Sequence, residues 1–169
     1  MQEPWKTDKW FISPWNYLPE ATKNYNFPKN IKIHDVTLRD GLQIVPRWVP
    51  TPDKLRIAQA LPQCGVRKIE LTSFTSPKAI PSLADADELA SLTTRDPQVC
   101  YTALVPNLRG AQRALAAHMN ELNFVFSASE AHNQANLRMN IAQSLAQLEQ
   151  VLEAAGKTPV NVSLSTAFG

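Results

Sequence analysis

The sequence predicts an α/β protein, a (β/α)8 TIM barrel of which five strands and four helices are present, and three observations predict it. Strand-length apolar runs alternate with helix-length amphipathic stretches from residue 31 onward. Uninterrupted alternation of that kind builds βαβ units and therefore a parallel sheet. Polar residues recur on one side of several strands: Asp35 and Thr37; Glu70 and Thr72; Asn161, Ser163 and Ser165. Central strands of an open doubly wound sheet lie under helices on both faces and are nearly all apolar, whereas a polar inner row suits a barrel. Finally, no Gly-x-Gly-x-x-Gly follows the first strand and no P-loop is present, which removes the marks of a nucleotide-binding open sheet.

Taken in order, residues 1–30 differ from the rest. Trp5, Trp10 and Trp15 sit among Pro4, Pro14, Pro19 and Pro28 without periodicity. Proline at that density excludes a long helix or a central strand, so an irregular arm is expected, its aromatics covering a surface. Residues 31–169 then form the barrel part. A β-branched run, 31–38, is the first strand, and Arg39-Asp40-Gly41 follows as a turn. Thr51 is expected as N-cap with Pro52 in the first helical position. Leu55, Ala58 and Leu61 give that helix an apolar face, and it stops near Cys64-Gly65. The second strand spans 68–74 and precedes a loop with Pro77 and Pro81. A helix over 85–94, a strand over 99–105 and a helix over 106–118 come next. The fourth strand covers 121–127. One long helix over 134–155 carries Leu137, Ile141, Leu145, Leu148 and Leu152 at helical spacing and ends at Gly156. Residues 160–166 make the fifth strand. Five strands and four helices fall short of a full barrel of about 250 residues.

Charge and composition narrow the partners. Seventeen basic against fifteen acidic residues give a formal charge of +2, no electrostatic footprint for nucleic acid or a membrane surface. Two cysteines, Cys64 and Cys100, make no disulfide framework and fit a reducing compartment. No apolar run approaches the ~18 residues of a membrane span, and Glu3, Asp8 and Glu20 interrupt any targeting pattern in the first thirty residues. A cytoplasmic protein acting on a small molecule is expected.

Parallel α/β folds place their sites at the carboxyl ends of strands. Arg39 there supplies a fixed cation for an oxyanion or enolate, and Asp40 supplies a hard oxygen for Mg2+ or Mn2+. Gly41 is expected to allow the tight backbone that brings both to the mouth. Glu70 lies mid-strand on the polar row, where an unpaired carboxylate is costly; pairing with Arg39 answers that cost and orients the guanidinium. Gln43, Asn107, Ser129 and His132 are candidate substrate-binding residues at strand ends. His34 is expected to pack under a helix and His118 to sit at a helix end, where a cation suits the dipole. No histidine pair has metal-ligand spacing. Cys64 is expected as a core thiol at a helix end, and Cys100 begins the third strand, far from the mouth.

These motifs resemble a known family. Leu38-Arg-Asp-Gly-Leu-Gln43, Ile69-Glu-Leu-Thr-Ser-Phe74 with Ser76-Pro-Lys78, Val105-Pro-Asn-Leu-Arg-Gly110, Ser127-Ala-Ser-Glu130 with Asn136, and Ser165-Thr-Ala-Phe-Gly169 are similar, in order and spacing, to 3-hydroxy-3-methylglutaryl-CoA lyases. The resemblance runs from about Ile31 to Gly169. It implies divalent-metal-dependent retro-Claisen cleavage of a 3-hydroxy-acyl-CoA thioester to acetyl-CoA and a ketoacid. By the same resemblance, Arg39 stabilises the developing enolate, Asp40 binds the metal, Glu70 supports the arginine and Gln43 lies beside the site. It also places the family's histidine pair for the metal, a further metal-binding asparagine and a cysteine-bearing mobile loop beyond the fifth strand. Asp35-Val-Thr-Leu38 looks more like the acetyl-CoA-condensing synthases of the wider group. Thr166 stands where the lyases commonly carry cysteine. Two alternatives accompany the lyase: a condensing synthase of the isopropylmalate or homocitrate type, and a non-catalytic half-barrel that self-associates through its fifth strand, as a homodimer.

Overall fold

The computed structural model describes residues 18–24, 26 and 28–167. The expectation that Trp5, Trp10 and Trp15 cover a surface lies outside the described residues. The chain divides into two units, Met1–Ile31 and Lys32–Gly169. In the first, a single helical turn, α1 (Pro19–Thr22), starts on proline and closes with Lys23 N donating to Pro19 O at 2.8 Å.

The second unit is built on five parallel strands, β1 (His34–Asp35), β2 (Lys68–Ser73), β3 (Cys100–Val105), β4 (Glu121–Ser127) and β5 (Val160–Ser165). They lie side by side in sequence order, each paired with the next. Strands joined in that order by helices curve into one wall of a barrel. α2 (Thr51–Gln63), α3 (Ala86–Leu92), α4 (Leu108–Ala116), α5 (Glu130–Leu137) and α6 (Ile141–Ala155) supply the helical connections. Alternate strand residues split the sheet into two faces. Ile69, Leu71, Tyr101, Ala103, Val105, Leu122, Phe124 and Phe126 are buried with Ala58, Leu89, Ala111, Ala114 and Val151 of the helices in one core. Glu70, Thr102, Asn123, Asn161 and Ser163 share the other face, joined by registers Glu70↔Thr102 and Asn123↔Asn161. The pattern is the polar inner row expected of a barrel.

Several elements differ from expectation for identifiable reasons. β1 is two residues long rather than eight: residues 31–33 stay outside the sheet, and beyond Asp35 the chain turns into a five-residue π-helical turn, Thr37–Gly41. Asp35 drives the switch, its carboxylate accepting from Thr37 N at 3.0 Å and Thr37 Oγ1 at 3.1 Å. Thr51 is inside α2 and does not cap it; the N-cap is Pro50, and the Thr51 hydroxyl donates to Asp85 instead. The long helix over 134–155 is two helices. Arg138 takes a left-handed φ of 56° after α5, and Asn140 starts α6 with a reciprocal capping box to Gln143. The buried face of α6 is Ser144, Val151 and Ala155, while Leu145 and Leu152 are exposed. Cys64 is exposed rather than part of the core.

Among the described residues, Lys54 was invisible to periodicity. It is fully buried on α2, its ammonium donating to Asp85 Oδ1 at 2.6 Å and Ser82 O at 2.8 Å, with the Trp48 ring 4.2 Å away. A buried lysine survives only when its charge and donors are satisfied, and here three partners satisfy them.

Candidate active site at the carboxyl ends of the strands

The site grows from the π-helical turn after β1. Its N–H groups at Arg39, Asp40 and Gly41 all bond to Val36 O, at 3.2, 2.8 and 3.2 Å. Leu38, fully buried, anchors the turn in the core. On a regular strand Arg39 and Asp40 would face opposite ways; in a helical turn they share a side, and Arg39 Nη1 donates to Asp40 Oδ1 at 2.7 Å. Wide turns of this kind concentrate at functional sites. Gly41 is not what permits the geometry: it has no left-handed φ, and a Cβ there would meet only Thr37, at an ordinary 3.8 Å.

Arg39 is fixed from behind. Its Nε donates to Glu70 Oε2 at 2.6 Å, and Glu70 is 0% exposed while the Arg39 side chain keeps 16%. Asn123 Nδ2 donates to the other carboxylate oxygen, Oε1, at 2.8 Å. Asn123 is itself held, accepting at Oδ1 from Asn161 Nδ2 at 3.0 Å and Ser163 Oγ at 2.9 Å. The carboxylate therefore has a donor on each oxygen, which offsets its burial. A chain of hydrogen bonds runs across β5, β4 and β2 to one guanidinium.

His34 stands on this polar face and not under a helix, its Nε2 3.0 Å from Thr102 Oγ1. Partial burial lowers its pKa from the ordinary 6.5, with the Glu70 charge pulling the other way. The Asp35 carboxylate is spent on the turn, so His34 replaces Asp35 in the inner row. At β2 the register shifts between Glu70 and Thr72, and the Thr72 hydroxyl is buried without a hydrogen-bond partner among the described residues.

The other candidates meet at strand ends in two groups. Asn107 caps α4, accepting from Gly110 N at 2.9 Å. Gly110 is required there, because a Cβ would come within 2.8 Å of Phe74 O. Ser129 caps α5 and accepts from His132 N at 3.3 Å. His132 Nδ1 lies 2.6 Å from the buried Ser127 Oγ. Asn133, missed from sequence and 0% exposed, stitches this group together. It accepts from Ser127 N at 2.9 Å and donates to Met139 O and Ser144 Oγ at 2.9 and 2.8 Å. Gln43 is exposed just beyond the turn. The structure thus joins Arg39, Asp40 and Glu70 directly, and joins Ser129 to His132; among the described residues no hydrogen bond runs from either group to Gln43 or Asn107.

Asp40 offers the carboxylate best placed for a hard cation, with 57% of its side chain exposed. Among the described residues no three His, Cys, Asp or Glu side chains gather as a metal site. Asp40 with its arginine neighbour is one ligand and not a complete donor set.

The chain matches the model of the HMGL-like family over residues 30–168. It is 43% identical over 145 residues to a hydroxymethylglutaryl-CoA lyase of Bacillus subtilis, covering 85% of this chain and 48% of that protein. It is 38% identical over 145 residues to the mitochondrial hydroxymethylglutaryl-CoA lyase of Gallus gallus, covering 85% and 49%. A solved lyase from Acinetobacter baumannii, in complex with coenzyme A and 3-methylmalate, superposes with a TM-score of 0.79 at 47% identity, covering 82% of this chain and 46% of that one. The chain spans about half the length of the relatives it matches.

Proposed function

The chain belongs to the HMGL-like family, and on that premise we propose that it carries the arginine-bearing part of a carbon–carbon lyase site for a 3-hydroxy-acyl-CoA. The observation that carries this reading is Arg39, partly exposed at the mouth and held through Nε by a carboxylate buried behind it. In retro-Claisen cleavage the 3-hydroxyl loses its proton and the C2–C3 bond breaks. C3 becomes the ketone of a ketoacid, and the bonding pair moves into the acyl-CoA fragment as an enolate. Protonation at C2 then gives acetyl-CoA. Negative charge grows on the thioester oxygen as the bond breaks, and a guanidinium already aimed there needs no reorganisation to meet it. Glu70 occupies Nε and Asp40 takes one Nη1 donor, which leaves Nη2 and the second Nη1 proton as donors toward the mouth.

Asp40 is the proposed ligand of this chain for Mg2+ or Mn2+, a cation that would polarise substrate oxygens when bound. Gln43, Asn107, Ser129 and His132 are proposed to touch substrate. His132 Nδ1 lies against Ser127 Oγ, which leaves Nε2 as the ring nitrogen to meet substrate. Ser129 and Asn107 have acceptor oxygens spent on helix caps, so the serine O–H and the asparagine Nδ2 are their contacts to offer. Free Cys64 and Cys100 support a cytoplasmic setting, and sedimentation tests whether two copies pair as a homodimer.

The deciding assay supplies 3-hydroxy-3-methylglutaryl-CoA and, separately, acetyl-CoA with a 2-oxoacid to the protein as its own reading frame produces it. Metal-dependent release of acetyl-CoA from the first supports the lyase. Condensation of the second pair without cleavage of the first overturns it in favour of a synthase.

A further inference from the structure

Resting on the enolate-stabilising role of Arg39 proposed above, we propose that Asn123 is a positioning residue that fixes the Glu70 carboxylate and, through it, the arginine. Three observations converge on it. Asn123 is a buried amide in the middle of an otherwise apolar strand, Leu122-Asn-Phe-Val-Phe126. A buried amide left unpaired is destabilising, so its presence needs partners that use it. Both ends of the amide are used: Nδ2 on Glu70 Oε1, and Oδ1 by Asn161 Nδ2 and Ser163 Oγ. The Glu70 carboxylate, ion-paired with Arg39, can only accept, so the Nδ2 end of the amide faces it and Oδ1 takes Asn161 and Ser163. Glu70 in turn has one oxygen per partner, Oε1 for Asn123 and Oε2 for Arg39 Nε. Remove the amide and the carboxylate can rotate about its last torsion, a broad and soft one, so that the guanidinium loses its fixed aim. Asn123 touches no reacting atom; it acts through Glu70.

The test reads Arg39 directly and needs no substrate, so it stands or falls separately from the lyase assay. In the 15N-labelled 169-residue chain, solvent exchange of the Arg39 Nε–H is measured by NMR. The Arg113 Nε–H, bonded to Asp87 away from this network, serves as internal control. Asn123→Val, which keeps the volume and suits a strand but deletes the donor, is expected to speed exchange at Arg39 by about tenfold or more and leave Arg113 unchanged. A second variant, Asn161→Ala with Ser163→Ala on the edge strand, keeps Asn123 but frees its Oδ1; a smaller increase, about threefold, is expected there. Should Asn123→Val lose its dispersed amide spectrum, the edge-strand variant decides. Exchange at Arg39 within twofold of wild type in the folded variants, or an equal rise at Arg39 and Arg113, overturns the proposal.

Discussion

Two buried ion pairs sit on opposite faces of the same sheet, and they are built to different ends. Lys54–Asp85 lies on the helical side with 0% and 5% of its side chains exposed. Every donor there is consumed, by Asp85, by Ser82 O and against the Trp48 ring, while Thr51 fills the second carboxylate oxygen. Arg39–Glu70 lies on the polar side with a carboxylate as deeply buried, yet its cation reaches solvent. The closed pair ties α2 to the start of α3 and has nothing left to offer a ligand. The open pair has its anchor inside and its donors outside. A buried charge is thus no mark of a site by itself; the distinction is whether one partner keeps unspent hydrogen-bonding capacity at the strand ends.

That contrast can be broken by mutation. The largest effect is expected at the closed pair. Asp85→Ala leaves Lys54 buried without its counter-charge and should cost about 3–5 kcal/mol of unfolding free energy, seen as a lowered urea midpoint. Replacing both together, Lys54→Met with Asp85→Leu, should restore most of that loss. No recovery would mean that the pair does more than neutralise itself. At the open pair the loss should appear in turnover more than in stability. Arg39→Lys keeps the charge but not the fork that engages Glu70 and the mouth at once. Its urea midpoint should fall less than that of Asp85→Ala.

A middle-sized effect separates the two helices that sequence merged. Asn140→Ala removes the α6 cap and should lower stability by about 1 kcal/mol, where an uninterrupted helix would lose almost nothing. The smallest expected effect belongs to His34. Its folded pKa lies below its ordinary 6.5 because burial disfavours the charged form, so the unfolded chain binds the proton more readily. Its contribution is fully present above pH 6.5 and declines as acid drives protonation. The urea midpoint of wild type should therefore fall on going from pH 7 to pH 5 by more than that of His34→Gln.

The sequence carried the parallel order of strands, the polar row and the Arg39–Glu70 pair, because each follows from alternation or from the need of a buried carboxylate for a partner. It could not carry the π-helical turn, which leaves no periodic trace and depends on Asp35 bonding its own neighbour's backbone. Leu137 and Ile141 share a helical period across Arg138–Asn140, so the break was masked; the Asn140-x-x-Gln143 capping pair was the available signal. Lys54 and Asn123 read in sequence as one polar residue on a helix and one in a strand. Their partners are 31 and 53 residues away, a distance no local pattern spans.

Arg39, held by Glu70, is proposed to stabilise the charge formed during carbon–carbon cleavage. The most direct measurement is kcat for acetyl-CoA release from 3-hydroxy-3-methylglutaryl-CoA, comparing wild type with Arg39→Lys in the protein as its own reading frame produces it. A fall of roughly 10²–10³, the loss expected for a preorganised charge-stabilising donor, is predicted, with the fold retained by circular dichroism. Turnover of the lysine variant within about tenfold of wild type would contradict the account.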